Sequence, residues 1–476
     1  MNDPLVAVLD RSLHALAGLS PDLVPHANRI GAMLWSPPRI VVVGRLKAGK
    51  STLVNALIGA PIAETAALEA TNVVTVYRDG APSRAEIVGH DGTRHIVAID
   101  NTAAPHTIDP LQTAWVDRYL PSAAIRDISL IDTPGLATLT VANADTTRRA
   151  LIDGFAQTQS ASVDADAAVF LFDSAPRADE MEFIARLGFT PLNTLGVLSR
   201  ADGFGEGAFG ARDPIEHASR HAEALAAKLQ GQVLTVVPVA GLLAESTRTG
   251  RITEADARAL SPLAGIDGWD LYSLLNSTDP HPLSPQQRDR LLDIVGEYGV
   301  VRGRAVAAGG AHALATWLDQ ASGISALQSV LYATIGWFAA IHRAGRILAQ
   351  LEALTYSHPA REQIRSITRQ VRADPAMNPV LLLDALKSML ATDPASPVVA
   401  ELVAVLRATT DAQRVGAAGD ATVEQLLAAT IDRRNRVAHA AVATRSAAED
   451  AALTALASAY DLQRRRLSAL TGDLHR

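Results

Sequence analysis

The 476-residue chain contains no cysteine. That excludes disulfides, thiolate catalysis and cysteine-held metals, and it fits a reducing compartment. Aromatic residues are scarce, at 4%, although 48% of the chain is apolar. Apolar content drawn mainly from Ala, Leu and Val suits extensive helix, because Ala and Leu are strong helix formers. A basic excess is also missing: 43 Lys and Arg stand against 50 Asp and Glu, a net charge of −7. Nucleic acid is therefore not expected as a partner. The first residues scatter Asp3, Asp10 and Arg11 among apolar positions and lack the basic-then-apolar layout of a signal peptide. Charge is absent throughout residues 320–341 (QASGISALQSVLYATIGWFAAI). That stretch is long enough to span a bilayer. Gln320, Ser322, Gly323, Ser325, Gln328 and Ser329 dilute its first half, which favours a helix buried in a bundle over membrane contact.

What is present begins with helical spacing of Leu5, Leu9, Leu13 and Leu16, ended by Ser36-Pro37-Pro38. Short, apolar, β-branched runs follow at 39–43, 71–78, 127–132, 167–173, 194–199 and 234–239. Such runs, the later ones separated by helical segments, predict a buried central sheet of an α/β domain. After about residue 270 the strand-like runs stop. Ser284-Pro285-Gln286-Gln287 reads as a helix start with a capping box. Helical pattern then continues to the end, broken near 356–360, 373–379 and 392–397. The expected division is a helical segment at 1–36, an α/β domain at 37–270 and a helical part at 271–476, with both chain ends forming one helical body.

Three short motifs sit at the ends of predicted strands. The first is Gly44-Arg45-Leu46-Lys47-Ala48-Gly49-Lys50-Ser51, which fits the phosphate-binding loop pattern. Its backbone from Gly44 through Ala48 and Gly49 to Thr52 would wrap phosphates. Lys50 would neutralise β/γ charge, and the Ser51 hydroxyl would ligate Mg2+. The second, Asp132-Thr133-Pro134-Gly135, offers a carboxylate to Mg2+ and a backbone N–H to a γ-phosphate. The third, Ser199-Arg200-Ala201-Asp202, stands where GTPases commonly carry Asn/Thr-Lys-x-Asp. A carboxylate there accepts the paired N–H groups of guanine, which adenine cannot supply, so GTP is expected over ATP. Ala240 and Gly241 fall where a final base-contacting loop belongs. A switch threonine that ligates Mg2+ only with γ-phosphate present is expected between Ser51 and Asp132. Thr65, Thr71 and Thr75 are candidates, and Thr71 is the best placed.

These residues, with GRLKAGKSTLVNALIG, IAETAALEATNVVTVYRDG, LIDTPG and LSRAD, resemble the bacterial dynamin-like GTPases, and more narrowly their actinobacterial, isoniazid-inducible members. VVPVAGLLAESTRT, YGVVRGR and SGISAL add to the likeness. The resemblance implies an α/β P-loop GTPase domain, its central mostly parallel sheet flanked by helices on both faces, beside an all-α neck and trunk built from both chain ends. It implies an enzyme with low basal GTP hydrolysis and Mg2+ as cofactor. The implied partners are a second copy or a paralogue, and an anionic surface at the inner face of the plasma membrane. Two positions depart from related patterns. Leu46 stands where eukaryotic dynamins have Gln, and Leu136 follows Gly135, so neither offers a glutamine to orient water. In guanylate-binding proteins and atlastins the position of Lys47 carries an arginine finger. Lys47 either supplies that cation in cis or points to solvent or to a carboxylate across a dimer; Arg45 is the second candidate.

Other features are weaker. Arg361, Arg365, Arg369 and Arg372 form one helical stripe beside Ile364, Ile367 and Val371, which suits anionic headgroups or a solvated bundle face. Arg464-Arg465-Arg466 is equally open. Trp337 and Phe338 suit core or dimer packing. His217 and His221, four apart, suit a surface helix more than a metal site. Two other classes compete with a membrane-remodelling GTPase: a soluble regulatory switch, and a weakly hydrolysing scaffold for an active paralogue.

Overall fold

A computed structural model describes residues 3–45, 47–62, 73–99, 112–133, 165–177, 180–181 and 188–474. The chain divides into two compact units, Pro37–Gly336 and Met1–Ser36 with Trp337–Arg476.

The first unit is built on a nine-stranded sheet among the described residues. Its strands are β1 (Arg39–Gly44), β2 (Thr75–Asp79), β3 (Arg84–Gly89), β4 (Arg94–Ala98), β5 (Thr113–Leu120), β6 (Ser129–Asp132), β7 (Ala167–Phe172), β8 (Thr194–Ser199) and β9 (Val236–Val239). They lie in the order β4-β3-β5-β2-β6-β1-β7-β8-β9. From β6 to β9 the pairing is parallel. β2 joins β6 antiparallel and β5 parallel, while β3 pairs antiparallel with β4 and β5. The continuous apolar runs of β1 and β7 are buried along almost their whole length, as parallel strands covered on both faces must be. Helix α3 (Lys50–Ile58) packs on β1 and β6, and α4 (Pro214–Lys228) on β8 and β9.

The expected runs correspond to β1, β2, β6, β7, β8 and β9. Strands β3, β4 and β5 extend the sheet beyond that expectation. Polar side chains link them: Arg78 of β2 and Trp115 of β5 both donate to Asp117, and Glu86 accepts from Arg84 and Arg94.

The boundary expected at 270 is corrected to 336. Helices α5 (Gly241–Arg248), α6 (Glu254–Leu260) and α7 (Gly268–Asn276) share one apolar core with α8 (Pro285–Gly303) and α9 (Gly310–Ser322). Leu243, Leu260, Leu271, Leu291, Ile294 and Leu318 meet there, so residues 271–336 complete the sheet unit instead of opening the other one. The start of α8 follows the capping box read from sequence: Gln287 N–H donates to Ser284 Oγ and Ser284 N–H to Gln287 Oε1.

The second unit is helical and uses both chain ends. Helix α1 (Pro4–Ala17), capped by Asp3, packs its buried Leu5, Leu9, Leu13 and Leu16 face on α2 (Val24–Trp35) and on α12 (Arg361–Ala373). After α10 (Ile324–Val330) in the first unit, α11 (Gly336–Ser357) leads into this body. Helix α13 (Asn378–Thr392) packs on α14 (Pro397–Arg407) and on the long α17 (Ala447–Leu474), which also lies against α16 (Val423–Ala440). The short α15 (Asp411–Val415) links α14 and α16.

Residues 324–341 of the uncharged stretch lie in the helical run Ile324–Ser357, which is long and apolar enough to cross a membrane by length and composition alone. Phe338 is buried and Trp337 half-exposed. Ile364 and Val371 face the core, whereas Arg361, Arg365, Arg369 and Arg372 are exposed. Arg365 pairs with Glu362 and Arg372 with Glu352. Arg464 pairs with Asp461 and Arg466 with Asp411.

Candidate functional site

All three motifs lie at the carboxyl ends of parallel strands, where an open α/β sheet forms its crevice. The first loop leaves β1 at Gly44, where a Cβ would come within 2.8 Å of the Leu171 carbonyl oxygen, so only glycine fits beside β7. Gly49 takes φ 91° at the cap of α3, a left-handed conformation that costs glycine nothing. Ala48 is buried behind the loop.

Lys50 turns back over this loop. Its ammonium donates to the carbonyls of Gly44 (3.1 Å) and Arg45 (3.0 Å), and the residue is only 7% exposed. Burial lowers its pKa, and Asp132 opposes that shift. Asp132 ends β6 in register with Val42, and Thr133 Oγ1 donates to the Val42 carbonyl at 2.8 Å, fixing the strand end against β1. Ser51 donates its hydroxyl hydrogen bond to the Asp132 carboxylate. Burial pushes the Asp132 pKa up to about 6 despite Lys50, Ser51 and the Thr133 N–H. Its Oδ1 is buried with no hydrogen-bond partner among the described residues. A hydroxyl beside a carboxylate whose buried Oδ1 is unsatisfied is what a hard divalent cation uses, so these residues fit Mg2+.

At the end of β8, Ser199 is buried and donates to the Phe172 carbonyl at 3.2 Å. Arg200 donates from Nη2 to the Lys47 carbonyl at 2.8 Å. Lys47 (φ 62°) and Arg200 (φ 56°) are the only non-glycine residues with positive φ among the described residues, and this hydrogen bond joins them. Burial raises the Asp202 pKa, and neighbouring Arg200 opposes the shift.

Residues 40–187 match the model of the dynamin family. Over that segment the chain resembles the dynamin family. The isoniazid-induced protein IniC of Mycobacterium tuberculosis is 34% identical over 335 residues, which is 65% of this chain and 65% of that relative. The isoniazid-induced protein IniA of the same species is 35% identical over 149 residues, covering 28% of this chain and 23% of that one. The chain thus spans under two thirds of the curated relatives it matches. A solved structure of an oligomerised bacterial dynamin pair aligns at 13% identity over 97% of this chain and 74% of that chain, with a TM-score of 0.31.

Within the sheet unit the remaining candidates fall as follows. Lys47 is exposed. Arg45, the second candidate for a mobile cation, is held by Glu180 at 2.7 Å, and the Arg177 N–H donates to the other Glu180 oxygen. Glu180 carried no sequence motif and was not expected there. Thr75 sits within β2 opposite Asp132, as a sheet residue. Ala240 is fully buried and its N–H donates to the Ser322 carbonyl, so it supports the final loop from beneath instead of offering that N–H to a base. Gly241 opens α5, and a Cβ there would meet Thr52 of α3 at 3.4 Å. Thr65, Thr71, Leu46, Gly135 and Leu136 lie outside the described residues. His217 and His221 flank the Phe204 ring on α4, and no cluster of three or more metal-ligating side chains occurs among the described residues.

Proposed function

We propose that this protein binds Mg2+–GTP in the crevice between the three loops, hydrolyses it slowly as a monomer, and hydrolyses it faster when two GTPase domains pair. The observation that carries the reading is the convergence of Lys50, Ser51 and Asp132 with its unpartnered buried oxygen. Lys50 neutralises phosphate charge, and the N-terminal end of α3 faces the anion. Ser51, Asp132 and Thr71 hold Mg2+, which supplies charge neutralisation across the β- and γ-phosphates. Gly135 donates its backbone N–H to the γ-phosphate. Asp202 accepts from guanine, and the Arg200 stem covers the purine while its guanidinium braces the loop at Lys47. Lys47, exposed on that braced turn, is the cation that reaches the bridging oxygen when domains close.

The partner is a second copy or a paralogous dynamin-like chain. The site of action is the cytoplasmic face of the plasma membrane, which the protein stabilises or remodels. The exposed Arg361, Arg365 and Arg369 row supports contact with anionic headgroups, each cation near such a surface contributing about 1 kcal/mol.

The test is GTP turnover at several protein concentrations, with and without anionic liposomes, using Lys50→Ala as the blank. Turnover per molecule should rise with concentration and with lipid. Lys47→Ala should keep GTP affinity and lose at least about tenfold in turnover. Flat turnover despite GTP binding sinks the remodelling reading and favours a regulatory switch or a scaffold. Lost affinity with unchanged turnover in Lys47→Ala sinks the role given to that residue.

A further inference from the structure

Helix α8 contains one residue that is not helical. Gly296 takes φ 60° and ψ −177°, a region that essentially only glycine occupies, and it breaks the helix inside the span Pro285–Gly303. The break lies beside the candidate base-reading group. A Cβ on Gly296 would stand 3.8 Å from Asp202 Oδ2 and 3.4 Å from Leu242 Cδ2. Leu242 directly follows Ala240-Gly241, so both loops expected around a base reach this one point on α8.

The segment beyond the break is anchored at the start of α4 and on α9. Tyr298 donates its hydroxyl to Asp213 Oδ2 at 3.3 Å, and Arg302 Nε lies 3.7 Å from that oxygen. Asp213 caps α4, accepting from Ile215 and Glu216. The Tyr298 ring stacks on Trp317 of α9, with centroids 6.0 Å apart and planes at 4°. At the end of α9 the Ser322 carbonyl takes the Ala240 N–H, and a Cβ on Gly323 would come within 2.3 Å of the Pro238 carbonyl oxygen. The base side of the crevice is therefore closed by α8 and α9, helices that follow the sheet in sequence.

We propose that the break at Gly296 forms one wall of the base pocket, leaving room for the purine edge that Asp202 reads, so that α8 responds to the base and not to the phosphates. The proposal rests on the reading of Asp202 as the guanine reader. A methyl group at Gly296 would occupy volume within reach of the hydrogen bonds a base makes to Oδ2, and it would strain the backbone as well.

The experiment is amide hydrogen exchange of the full chain with Mg2+ alone, with Mg2+–GDP and with Mg2+–tripolyphosphate, which fills the phosphate loop without a base. Amides at 294–300 should slow at least threefold with GDP and stay unchanged with tripolyphosphate, while amides of α7 stay unchanged in both. Calorimetry on Gly296→Ala adds an independent readout: GDP should bind at least tenfold more weakly, with tripolyphosphate affinity unchanged. Should that variant not fold, the exchange result on the natural chain still decides. Equal protection by both ligands, or none with GDP bound, overturns the proposal and leaves the nucleotide reading standing. Failure of GDP to bind at all overturns that reading and this inference with it.

Discussion

Asp132 is held in a place that disfavours its charge. Burial is the largest cause, and it pushes the pKa from the ordinary 3.8 up to about 6. A carboxyl raised in this way contributes fully to the metal-free fold below its ordinary pKa. That contribution is lost as pH rises through about 6. Asp132→Asn should therefore stabilise the metal-free protein at pH 7, by on the order of 3 kcal/mol at most, and change little near pH 4. Thermal unfolding at the two pH values, without Mg2+ or nucleotide, checks the sign. The same variant should lose the stabilisation that Mg2+–GTP gives the natural chain. A variant less stable at pH 7 than at pH 4, relative to the natural chain, would contradict the account. The neighbouring cations divide by their partners: Arg45 is tied to Glu180, whereas Lys47 projects from a turn whose carbonyl Arg200 holds.

Among the elements, α8 and α9 matter most for the sheet unit. Their Leu291, Ile294, Val295, Leu314 and Leu318 are buried in the core that also takes Leu243, Leu260 and Leu263. Ending the chain at 270 would strip those partners and expose a broad apolar face, which soluble domains rarely tolerate. A fragment 37–336 should be soluble and unfold cooperatively, and a fragment 37–270 should aggregate or lack a transition. Circular dichroism melting of both fragments measures this. An equally stable 37–270 fragment would restore the earlier boundary. Strands β3 to β5 illustrate a different difficulty. Sequences such as RAEIVG and TAWVDRYL interrupt their apolar residues with charged ones, so they lack the continuous apolar signal of β1 or β7.

For the molecule as a whole, the helical body depends on both chain ends. The buried leucines of α1 face the adjacent α2 and also α12, which lies more than 300 residues further along the chain. His358 Nε2 lies 2.8 Å from Asp22 Oδ2, a further tie between the ends. Deleting residues 1–36 should lower the melting temperature of the helical body while leaving GTP affinity within about twofold, since the proposed nucleotide residues all belong to Pro37–Gly336. Differential scanning calorimetry with a GTP titration separates the two effects. Loss of GTP binding on deletion would show that the ends support the site as well.

The sequence by itself determined the parts whose physics is local. Glycine spacing with Lys50 and Ser51 marks the candidate phosphate loop because backbone and charge act within a few residues. Continuous apolar runs mark the central strands, and the Ser284–Gln287 capping box marks the start of α8. Helix breaks near 357, 374 and 393 were legible from proline and glycine-poor helical pattern on either side. Tertiary structure decided what depends on distant contacts. Glu180 meets Arg45, Ser322 takes the Ala240 N–H, and Gly296 comes to Asp202 only after the chain has folded. The domain boundary belongs with these. Helical periodicity tells which face of α8 is apolar, but only packing decides which core that face completes.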